Sequence, residues 1–353
     1  MASRKKKTGV VSWFADVGIA DRPTVGGKGG SLGELTQAGI AVPPGFVVTT
    51  SAFEQFLGAL EARESVRDKV EALDPDDLDA ATRLSQHLRA RVMGEAMPPE
   101  VETAIMQAMR ELCADGQPVA VRSSATTEDA EDASFAGLQD TFLWVLTPQD
   151  MALKVRECWG SMYSVESMIY RRKQHFPELG VAMAVVVQRM VDAACAGVMF
   201  TRSPTTGDKS VIVIEGAWGL GSAVVSGEVT PDRWVVGKIT GDITVRDVSD
   251  KHAKQVPAVG GGIIEVELEG DDRTTACLTD DQLMGLRDVG RKVERHYGKP
   301  QDIEWALDKQ GNILLLQSRP ETVWSVKDAA AKPVAEKVAN PLAHVMNIFG
   351  GRK

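Results

Sequence analysis

The pattern of hydrophobic and polar positions divides the chain into three blocks. From Trp13 to about Phe56 the chain is rich in glycine, and the pattern predicts a loop at Gly26–Gly30, a helix at Ser31–Ala38 and a strand at Phe46–Thr49. A charged segment follows, from about 59 to 112, in which apolar residues recur at helical spacing. We expect this second block to form a helical insert.

The third block begins near Val181 and consists mostly of strands. Ahead of it, the pattern predicts a strand at Val119–Arg122 and a helix near Met151–Ile169. Within it, a helix is expected after Thr279, because Thr279 and Gln282 have the spacing of a capping box. The remaining apolar runs predict the strands Val181–Met190, Gly197–Phe200, Val211–Glu215, Arg233–Val236, Ile263–Leu268, Asp302–Leu307 and Asn312–Ser318.

The bulk composition narrows the class of protein. With 353 residues, the chain is expected to form two or three packed lobes. Hydrophobic residues make up 43% and charged residues 25%, and no apolar run approaches the roughly 20 residues that a membrane helix needs. The N-terminus lacks an apolar signal segment, so we expect a cytoplasmic protein with no membrane role.

The net charge argues against a nucleic-acid-binding protein, and the cysteine spacing argues against a disulfide-linked or zinc-binding protein. The net charge of −9 disfavours nonspecific nucleic-acid binding, although residues 4–7 form a basic run in a tail at 1–12. We interpret this run as a solvated tail. The cysteines lie far apart with no CxxC or Cys/His spacing, which indicates reduced thiols rather than disulfides or a zinc site: Cys113, Cys158, Cys195 and Cys277.

The first candidate for chemistry is Lys28 in the glycine-rich segment. Glycine amides can approach phosphate oxygens closely, and one ammonium group adds positive charge. The segment is not a Walker A loop, because Arg22 stands where that motif needs glycine and Gly29 where it needs Ser or Thr. The alternative is a tight turn with no ligand.

The second candidate is Arg122, which lies at the end of a predicted strand within Val121–Ala125 and is followed by two serines. An arginine at a strand end suits the planar recognition of phosphate. The alternative is a surface salt bridge to a nearby carboxylate: Glu128, Asp129 or Glu131.

The third candidate is the hairpin near the end of the last block. Asp302 and Glu304 stand two apart on one strand, and Gln317 and Arg319 stand two apart on the next, so each pair shares a face. Only Asp308–Gly311 separates the two apolar runs, which predicts a four-residue hairpin loop. A single-residue change in that loop would move one pair to the other face.

The expected register places Asp302 opposite Gln317 and Glu304 opposite Leu315, so that the polar side chains and, just beyond, Arg319 lie on one face. Hard oxygens beside an arginine are what a magnesium-bound polyphosphate requires. The alternative is a solvated polar face. The other face is expected to be apolar and to carry Ile303, Trp305, Leu307, Leu314 and Leu316.

Eight short motifs carry a family resemblance: Gly26–Gly29 followed by Pro43–Phe46, Val121–Ala125, Ser134–Gly137, the Gln188 strand, Gly197–Thr201, Trp218–Gly221, Asp302–Trp305 and Gln317–Pro320. In this order they resemble the nucleotide-binding domain of the phosphoenolpyruvate synthase and pyruvate phosphate dikinase family. The resemblance extends from about Trp13 to Val323.

That resemblance implies an α+β, ATP-grasp-type fold in which two lobes clamp ATP, with Mg²⁺ as the metal. We expect a first lobe at 13–185 that contains the helical insert (about 59–112). A second lobe at 186–323 would carry the hinge and the metal-binding hairpin, and a C-terminal tail would occupy 324–353.

The resemblance also implies roles at the phosphate end of the site. Lys28, Arg122 and Arg319 would hold the phosphates and support catalysis, and Glu304 and Gln317 would bind Mg²⁺. The catalytic contribution would be electrostatic, because these groups neutralise polyphosphate charge without a covalent step on this chain.

Further residues would complete the nucleotide site by the same resemblance. Asp302 would lie beside the metal ligands, and a loop from Ser134 to Gly137 would close over the phosphates. Glu215 would face the ribose or adenine. The hinge strand against adenine would consist of Gln188, Arg189, Met190 and Val191.

The chain departs from the family in its histidines. Full-length members continue into a swivelling domain with a phosphorylated histidine and then a barrel that binds pyruvate. None of the five histidines lies in the sequence context of that domain: His87, His175, His252, His296 and His344. We therefore expect a split dikinase, in which a partner subunit carries the histidine and the acceptor site.

The sequence leaves open which molecule finally accepts the phosphate. A standalone subunit of this kind resembles the ATP-binding component of phenylphosphate synthase, which phosphorylates phenol, and pyruvate is the alternative acceptor. Two other classes remain: a non-catalytic ATP-sensing subunit, and an ATP-grasp ligase that makes acyl phosphates and releases ADP rather than AMP.

Overall fold

The computed structural model describes residues 9–126, 129–130, 133–134 and 140–325. Three sequence predictions therefore lie outside the described residues: the basic run at 4–7, Gly137 in the expected closing loop, and the C-terminal tail from 326. The expected N-terminal tail at 1–12 is too long, because its last two residues already belong to the first strand.

The first lobe is built on a five-stranded antiparallel sheet with the order β1-β2-β7-β3-β6. Its strands, together with a separate two-residue pair β4–β5, are β1 Val11–Trp13, β2 Gly45–Val48, β3 Val119–Ala125, β4 Asp129–Ala130, β5 Ala133–Ser134, β6 Thr141–Val145 and β7 Met183–Arg189. Its helices are α1 Arg22–Gln37, α2 Thr50–Glu61, α3 Val66–Glu71, α4 Leu78–Gly94, α5 Pro99–Leu112, α6 Pro148–Ser161 and α7 Val165–Lys173.

The second lobe is built on a six-stranded antiparallel sheet with the order β11-β10-β9-β8-β14-β15, and β12 and β13 form a separate two-stranded ribbon. Its strands are β8 Ala193–Phe200, β9 Val211–Trp218, β10 Asp232–Gly237, β11 Ile243–Asp247, β12 Ala253–Pro257, β13 Ile263–Glu267, β14 Gln301–Asp308 and β15 Ile313–Pro320. Its helices are the short α8 Ser222–Val225 and the long α9 Asp280–Tyr297.

Each sheet buries one face against helices. In the first lobe Trp159 of α6 is fully buried and packs on Phe53 and Phe56 of α2, with ring centroids 5.9 and 4.9 Å away. In the second lobe Trp305 and Trp234 are fully buried under α9. Apolar side chains of this size dominate core stability, because burying each one removes a large apolar area from water.

The expected loop at Gly26–Gly30 is wrong: these residues lie inside α1. Only Gly26 leaves the helical conformation, with φ of 71° and ψ of 177°, and the helix resumes immediately after it. The break is held by buried Ser124, whose Oγ donates to Val25 O at 3.0 Å and accepts from Gly29 N at 3.2 Å. Ser124 is therefore a structural residue within β3, and that strand continues to Ala125, beyond the expected end at Arg122.

Other boundaries differ from the sequence predictions for local reasons. The helix expected at Met151–Ile169 is two helices, because Ser164 caps a new helix start and accepts from Ser167 N. The capping box at Thr279 and Gln282 is confirmed. The boundary expected at 185/186 falls inside β7, which belongs wholly to the first sheet.

Across the described ranges, no helix combines the length and apolar character needed to cross a bilayer.

Gly26→Ala should destabilise the protein strongly. A Cβ here would overlap the Ser124 carbonyl, and the φ of 71° disfavours any L side chain. We expect a loss of at least about 3 kcal/mol in the free energy of unfolding, measured by urea denaturation. Gly39→Ala is the matched control, because Gly39 has a φ of 64° but its added Cβ would meet no heavy atom within 4 Å. It should cost only about 1–2 kcal/mol, and equal losses would contradict the role of Ser124.

Candidate functional site

A cavity of about 410 Å³ lies between the two sheets. The first lobe contributes residues from α1, β3, β6 and β7, and the second lobe contributes the chain after the hinge, the α8 region and the β14–β15 hairpin. Those of the predicted site residues that line it are Lys28, Arg122, Gln188, Arg189, Met190, Val191, Glu304, Gln317 and Arg319. The cavity is apolar near 188–191, the segment expected to be the hinge, and charged near the hairpin.

The register of the hairpin differs from the expected one by two residues. Asp302 pairs with Arg319 and Glu304 pairs with Gln317, rather than with Gln317 and Leu315. One residue of the difference arises in the loop, because Leu307 pairs with Ile313. The second arises from a bulge, in which Leu316 has no partner between the pairs Glu304–Gln317 and Trp305–Leu315.

These two changes cancel, so the polar side chains still share one face. The longer loop alone would have turned Gln317 and Arg319 away from Glu304, and the bulge turns them back. The expected apolar face is corrected as a consequence. Ile313 and Leu315 pack in the core with Trp305, whereas Leu314 and Leu316 lie with the apolar cluster at the cavity.

Arg122 joins the two lobes at the charged end of the cavity. Its Nη2 donates to Glu304 Oε2 at 2.9 Å and to Gln317 Oε1 at 2.6 Å, and its Nη1 donates to Leu316 O at 2.9 Å. Leu316 is the bulged residue and has no partner on β14, so its carbonyl can accept this bond from Arg122. Arg122 is only 8% exposed, so these bonds are largely shielded from water. Two carboxylates of the alternative interpretation, Glu128 and Glu131, lie outside the described residues.

Asp302 and Arg319 form the outer part of the same face. Arg319 Nε lies 3.5 Å from Asp302 Oδ2, and about half of the Arg319 side chain is exposed. Burial raises the pKa of Asp302, and the positive charge of Arg319 opposes that rise. Arg319 lines the cavity, whereas Asp302 lies beside the lining. Arg319 is thus placed to reach a phosphate that enters from solvent.

Lys28 lies in the first turn of α1 after the break at Gly26, and it lines the cavity. The start of a helix carries partial positive charge and amides that donate well to phosphate oxygens. The break at Gly26 is what creates this second helix start within one continuous element. The structure thus places Lys28 and Arg122 in the wall of the same cavity.

The hinge end is formed by backbone more than by charged side chains. Gln188 is buried and its Nε2 donates to Pro43 O at 3.4 Å, and Met190 N donates to Pro118 O at 2.9 Å. The guanidinium of Arg189 bonds instead to Leu112 O and Asp115 at the end of α5. The expected nucleotide contact of Arg189 can therefore involve only its backbone.

Glu215 is not among the residues that line the cavity. It lies on the cavity face of the second sheet, one strand beyond Val198, which pairs with Glu304. Its Oε1 is 3.6 Å from Arg233 Nε, and burial raises its pKa while Arg233 opposes the rise. Glu215 thus contacts Arg233 on the neighbouring strand, and its expected contact with the ribose or adenine stays a prediction.

Ser134 is described only as backbone. It pairs with Asp129 in the β4–β5 strand pair, and Gly137 lies outside the described residues. The expected closing loop stays a prediction.

Sequence reasoning assigned no role to several residues that line the cavity. Thr141 and Leu143 come from β6, and the segment around α8 supplies the rest: Leu220, Gly221, Ser222, Val225 and Ser226. The Trp218–Gly221 motif was the available signal for the second group. No spacing rule marks the first group, because its side chains reach the cavity through an irregular strand.

The hairpin oxygens suit a magnesium ion. Glu304 Oε2 and Gln317 Oε1 both lie within hydrogen-bonding distance of one Arg122 nitrogen, so they converge on one small volume. Carboxylate and amide oxygens are ligands that Mg²⁺ accepts, with phosphate oxygens and water completing its shell. The described residues contain no group of three or more His, Cys, Asp or Glu side chains that could hold a metal. A metal here would thus depend on the bound phosphate.

Two facing sheets around a cavity with an apolar hinge end and a cationic end define an α+β nucleotide-binding domain of ATP-grasp type. The family model described as "Pyruvate phosphate dikinase, AMP/ATP-binding domain" matches residues 22–340, and the chain belongs to this family. The fold class and the family expected from the motifs are both confirmed.

Curated relatives are similar over most of this chain. A probable phosphoenolpyruvate synthase of Methanothermobacter thermautotrophicus is 42% identical over 316 residues, which cover 88% of this chain and 46% of that protein. The phosphoenolpyruvate synthase of Pyrococcus furiosus is 38% identical over 371 residues, covering 93% of this chain and 45% of that protein. The chain thus spans less than half the length of these relatives.

Among solved structures the likeness is distant. The ADP complex of N5-carboxyaminoimidazole ribonucleotide synthetase gives a TM-score of 0.26 at 10% identity, covering 70% of this chain and 58% of that chain. We rest no argument on this similarity.

Arg122→Ala should abolish tight binding of Mg·ATP, whereas Arg189→Ala should not. The first change leaves Glu304 without its buried cationic partner and removes a link between the lobes. We expect its Kd for Mg·ATP, measured by calorimetry, to rise at least about 100-fold. Arg189→Ala is the control, because its guanidinium points to α5, and its Kd should stay within about twofold of the wild type. A larger effect for Arg189 than for Arg122 would refute this arrangement of the site.

Proposed function

We propose that this chain is the ATP-binding component of a dikinase, which starts a phosphohistidine relay by transferring phosphate from Mg·ATP to a histidine outside the described residues. One observation carries the proposal. Arg122, Glu304 and Gln317 converge at one end of the cavity, together with Lys28 and Arg319, while the hinge forms its apolar end. The combination fits a nucleotide whose base lies at the hinge and whose phosphates lie at the hairpin.

The chemistry of this component would be electrostatic. Lys28, Arg122 and Arg319 would neutralise charge on the phosphates, and shielding by the two lobes would strengthen those interactions. Arg122 would have to share its donors between the phosphate and the hairpin oxygens. Bound Mg²⁺, held through Glu304 and Gln317 and the phosphates, would supply further charge neutralisation.

The nucleophile would come from outside the cavity. A histidine nitrogen would attack the β-phosphorus, the bond from that phosphorus to the oxygen bridging the α-phosphate would break, and AMP would leave with that oxygen. The product is a pyrophosphorylated histidine. If the γ-phosphate is then lost to water, a phosphorylated histidine and inorganic phosphate result.

The described histidines are poorly placed for this role. None of them lines the cavity. His87 Nε2 bonds to Glu64 and His296 Nε2 bonds to Glu34, each near the surface. We therefore propose that the histidine and the acceptor site are supplied by a partner subunit, as in a split dikinase. A histidine on a further domain of the same polypeptide would meet the same chemical need, and the experiment below separates the two.

Two acceptors are proposed for the relay. Phenol follows from the resemblance to the ATP-binding component of phenylphosphate synthase. Pyruvate is favoured by the relatives, which are named phosphoenolpyruvate synthases. The acceptor would not contact this cavity, so the residues described here do not choose between them.

A labelling experiment tests the proposal. The pure chain is incubated with Mg²⁺ and ATP labelled at the β-phosphate, with and without extract of its source cells, and protein is analysed for acid-labile label. We expect label on a second polypeptide only when this chain is present, with AMP formed in step. Label on this chain itself would contradict the partner subunit. ATP binding without any label would favour an ATP-sensing role, and ADP as the nucleotide product would favour acyl-phosphate chemistry.

Glu304→Gln should slow the labelling about 100-fold, because it removes the negative charge that would hold the metal at the phosphates. Glu294→Gln is the control, since Glu294 pairs with Lys238 and neither residue lines the cavity. Its rate should match the wild type. Equal rates for Glu304→Gln and the wild type would remove Glu304 from the site.

A further inference from the structure

Trp144 has an unusual backbone conformation beside the cavity. Its φ is 57°, and among the described residues only His175 shares a positive φ without being glycine. This region is unfavourable for a large side chain, and such strain persists only where surrounding contacts hold it. An observed outlier of this kind is a reason to look for a function.

The outlier belongs to a bulge in the edge strand of the first lobe. Val119 pairs with Val145 and Val121 pairs with Phe142, so Leu143 and Trp144 together oppose the single residue Ala120. Leu143 and Ala120 both line the cavity. The bulge therefore lies in the cavity wall, where it redirects the side chains of β6.

The side chain of Trp144 reaches across to the other lobe. It packs against a buried apolar cluster made of Val191, Ala193, Ala196, Leu220 and Ala306. All five of these residues also line the cavity. Met190, Ile263, Leu314 and Leu316 pack on the same cluster. Among the described residues, Trp144 is the one member of this group that comes from the sheet of the first lobe.

The backbone of Trp144 makes a second contact with the second lobe. Its carbonyl accepts from Gly262 N at 3.0 Å, in the turn of the β12–β13 ribbon. Gly262 has a φ of 74°, which a residue without Cβ adopts at no steric cost. The ribbon is fixed in turn to the cavity wall, because Leu220 N donates to Gln255 O at 3.0 Å. Ring and carbonyl of Trp144 thus bind different parts of the same lobe.

We propose that Trp144 is a positioning residue that sets the shape of the base-binding end of the nucleotide site. It would act through the cavity-lining cluster on which it packs, Val191 and Leu220 among its members, rather than by touching the phosphates. This inference rests on the proposed function, because it assigns the apolar end of the cavity to the base. The strain at Trp144 is offset by the contacts across the lobes, and the residue therefore favours the closed arrangement in which those contacts exist.

The test compares two ligands that differ only in having a nucleoside. Kd values for Mg·ATP and for magnesium tripolyphosphate are measured by calorimetry on the wild type and on variants. We expect Trp144→Ala to raise the Kd for Mg·ATP about tenfold and to change the Kd for tripolyphosphate less than about twofold. Trp144→Phe should restore ATP binding to within about threefold of the wild type, because it keeps an aromatic ring at the same place.

Leu146→Ala is the matched control on the same edge of the lobe. Leu146 is 40% exposed and lies beside the ribbon at Gly261, but it is not part of the cluster. Both of its Kd values should equal those of the wild type. If Trp144→Ala does not fold, Trp144→Leu carries the same comparison, since it keeps apolar volume without a ring.

Four outcomes would overturn the inference. Equal weakening of both ligands would show that Trp144 serves only the general closure of the lobes. Unchanged ATP binding in Trp144→Ala would show that the base end does not depend on it, as would a loss of the same size in Leu146→Ala. If the wild type binds tripolyphosphate as tightly as Mg·ATP, the base does not bind at this end of the cavity. If the wild type binds neither ligand, the proposed function itself is refuted.

Discussion

The arrangement of the site depends on the hydrogen bonds of Arg122 across the gap between the lobes. One guanidinium on the first sheet binds a carboxylate, an amide oxygen and a backbone carbonyl on the hairpin of the second. Because Arg122 is nearly buried, its guanidinium would be costly to leave unpaired, and its bonds therefore fix the hairpin relative to the first lobe. The guanidinium charge of Arg122, which fixes the hairpin, would also attract a polyphosphate. A ligand that draws Arg122 toward its phosphates leaves Glu304 and Gln317 in need of another cation, and this is the electrostatic reason to expect nucleotide and metal to bind together.

The bulge at Leu316 shows how much of this site was accessible from sequence. Alternation within a strand correctly placed Asp302 with Glu304, and Gln317 with Arg319, because that period is set by backbone geometry alone. The pairing between the strands was wrong, since neither the exact loop length nor a bulge has a reliable sequence signature. The shared face was correct only because the two errors cancelled. The wrong pairing also gave the wrong face for Leu314 and Leu316, which lie on the cavity side rather than in the core.

Other differences arise where tertiary contacts override local pattern. The glycines at 26–30 indicated a loop, but Ser124, nearly a hundred positions away, holds a single break and lets the helix continue. The helices and most strands followed their apolar periods, because each buries one face of a regular element. Arg189 and Glu215 were placed by analogy with the family, and each side chain binds a charged neighbour, Asp115 and Arg233 respectively. Family motifs located the cavity, whereas the direction of individual charged side chains is set by tertiary contacts that no motif encodes.

The contacts that join the two lobes differ in kind between the two ends of the cavity. At the hairpin end the link is charged, so a bound phosphate or metal can compete for it directly. At the hinge end the link through Trp144 is apolar and is backed by a backbone hydrogen bond to Gly262, so phosphate has no means of competing for it. A nucleotide that loosens the charged link can therefore leave the hinge end in place, and the lobes would move about the hinge rather than separate. Since contacts with the second lobe help to hold the strained conformation of Trp144, any motion that opens the hinge end also loses contacts that offset this strain. If the base lies at the hinge end and the phosphates at the hairpin end, as proposed, the base end is for that reason expected to be rigid and the phosphate end to rearrange when the nucleotide binds.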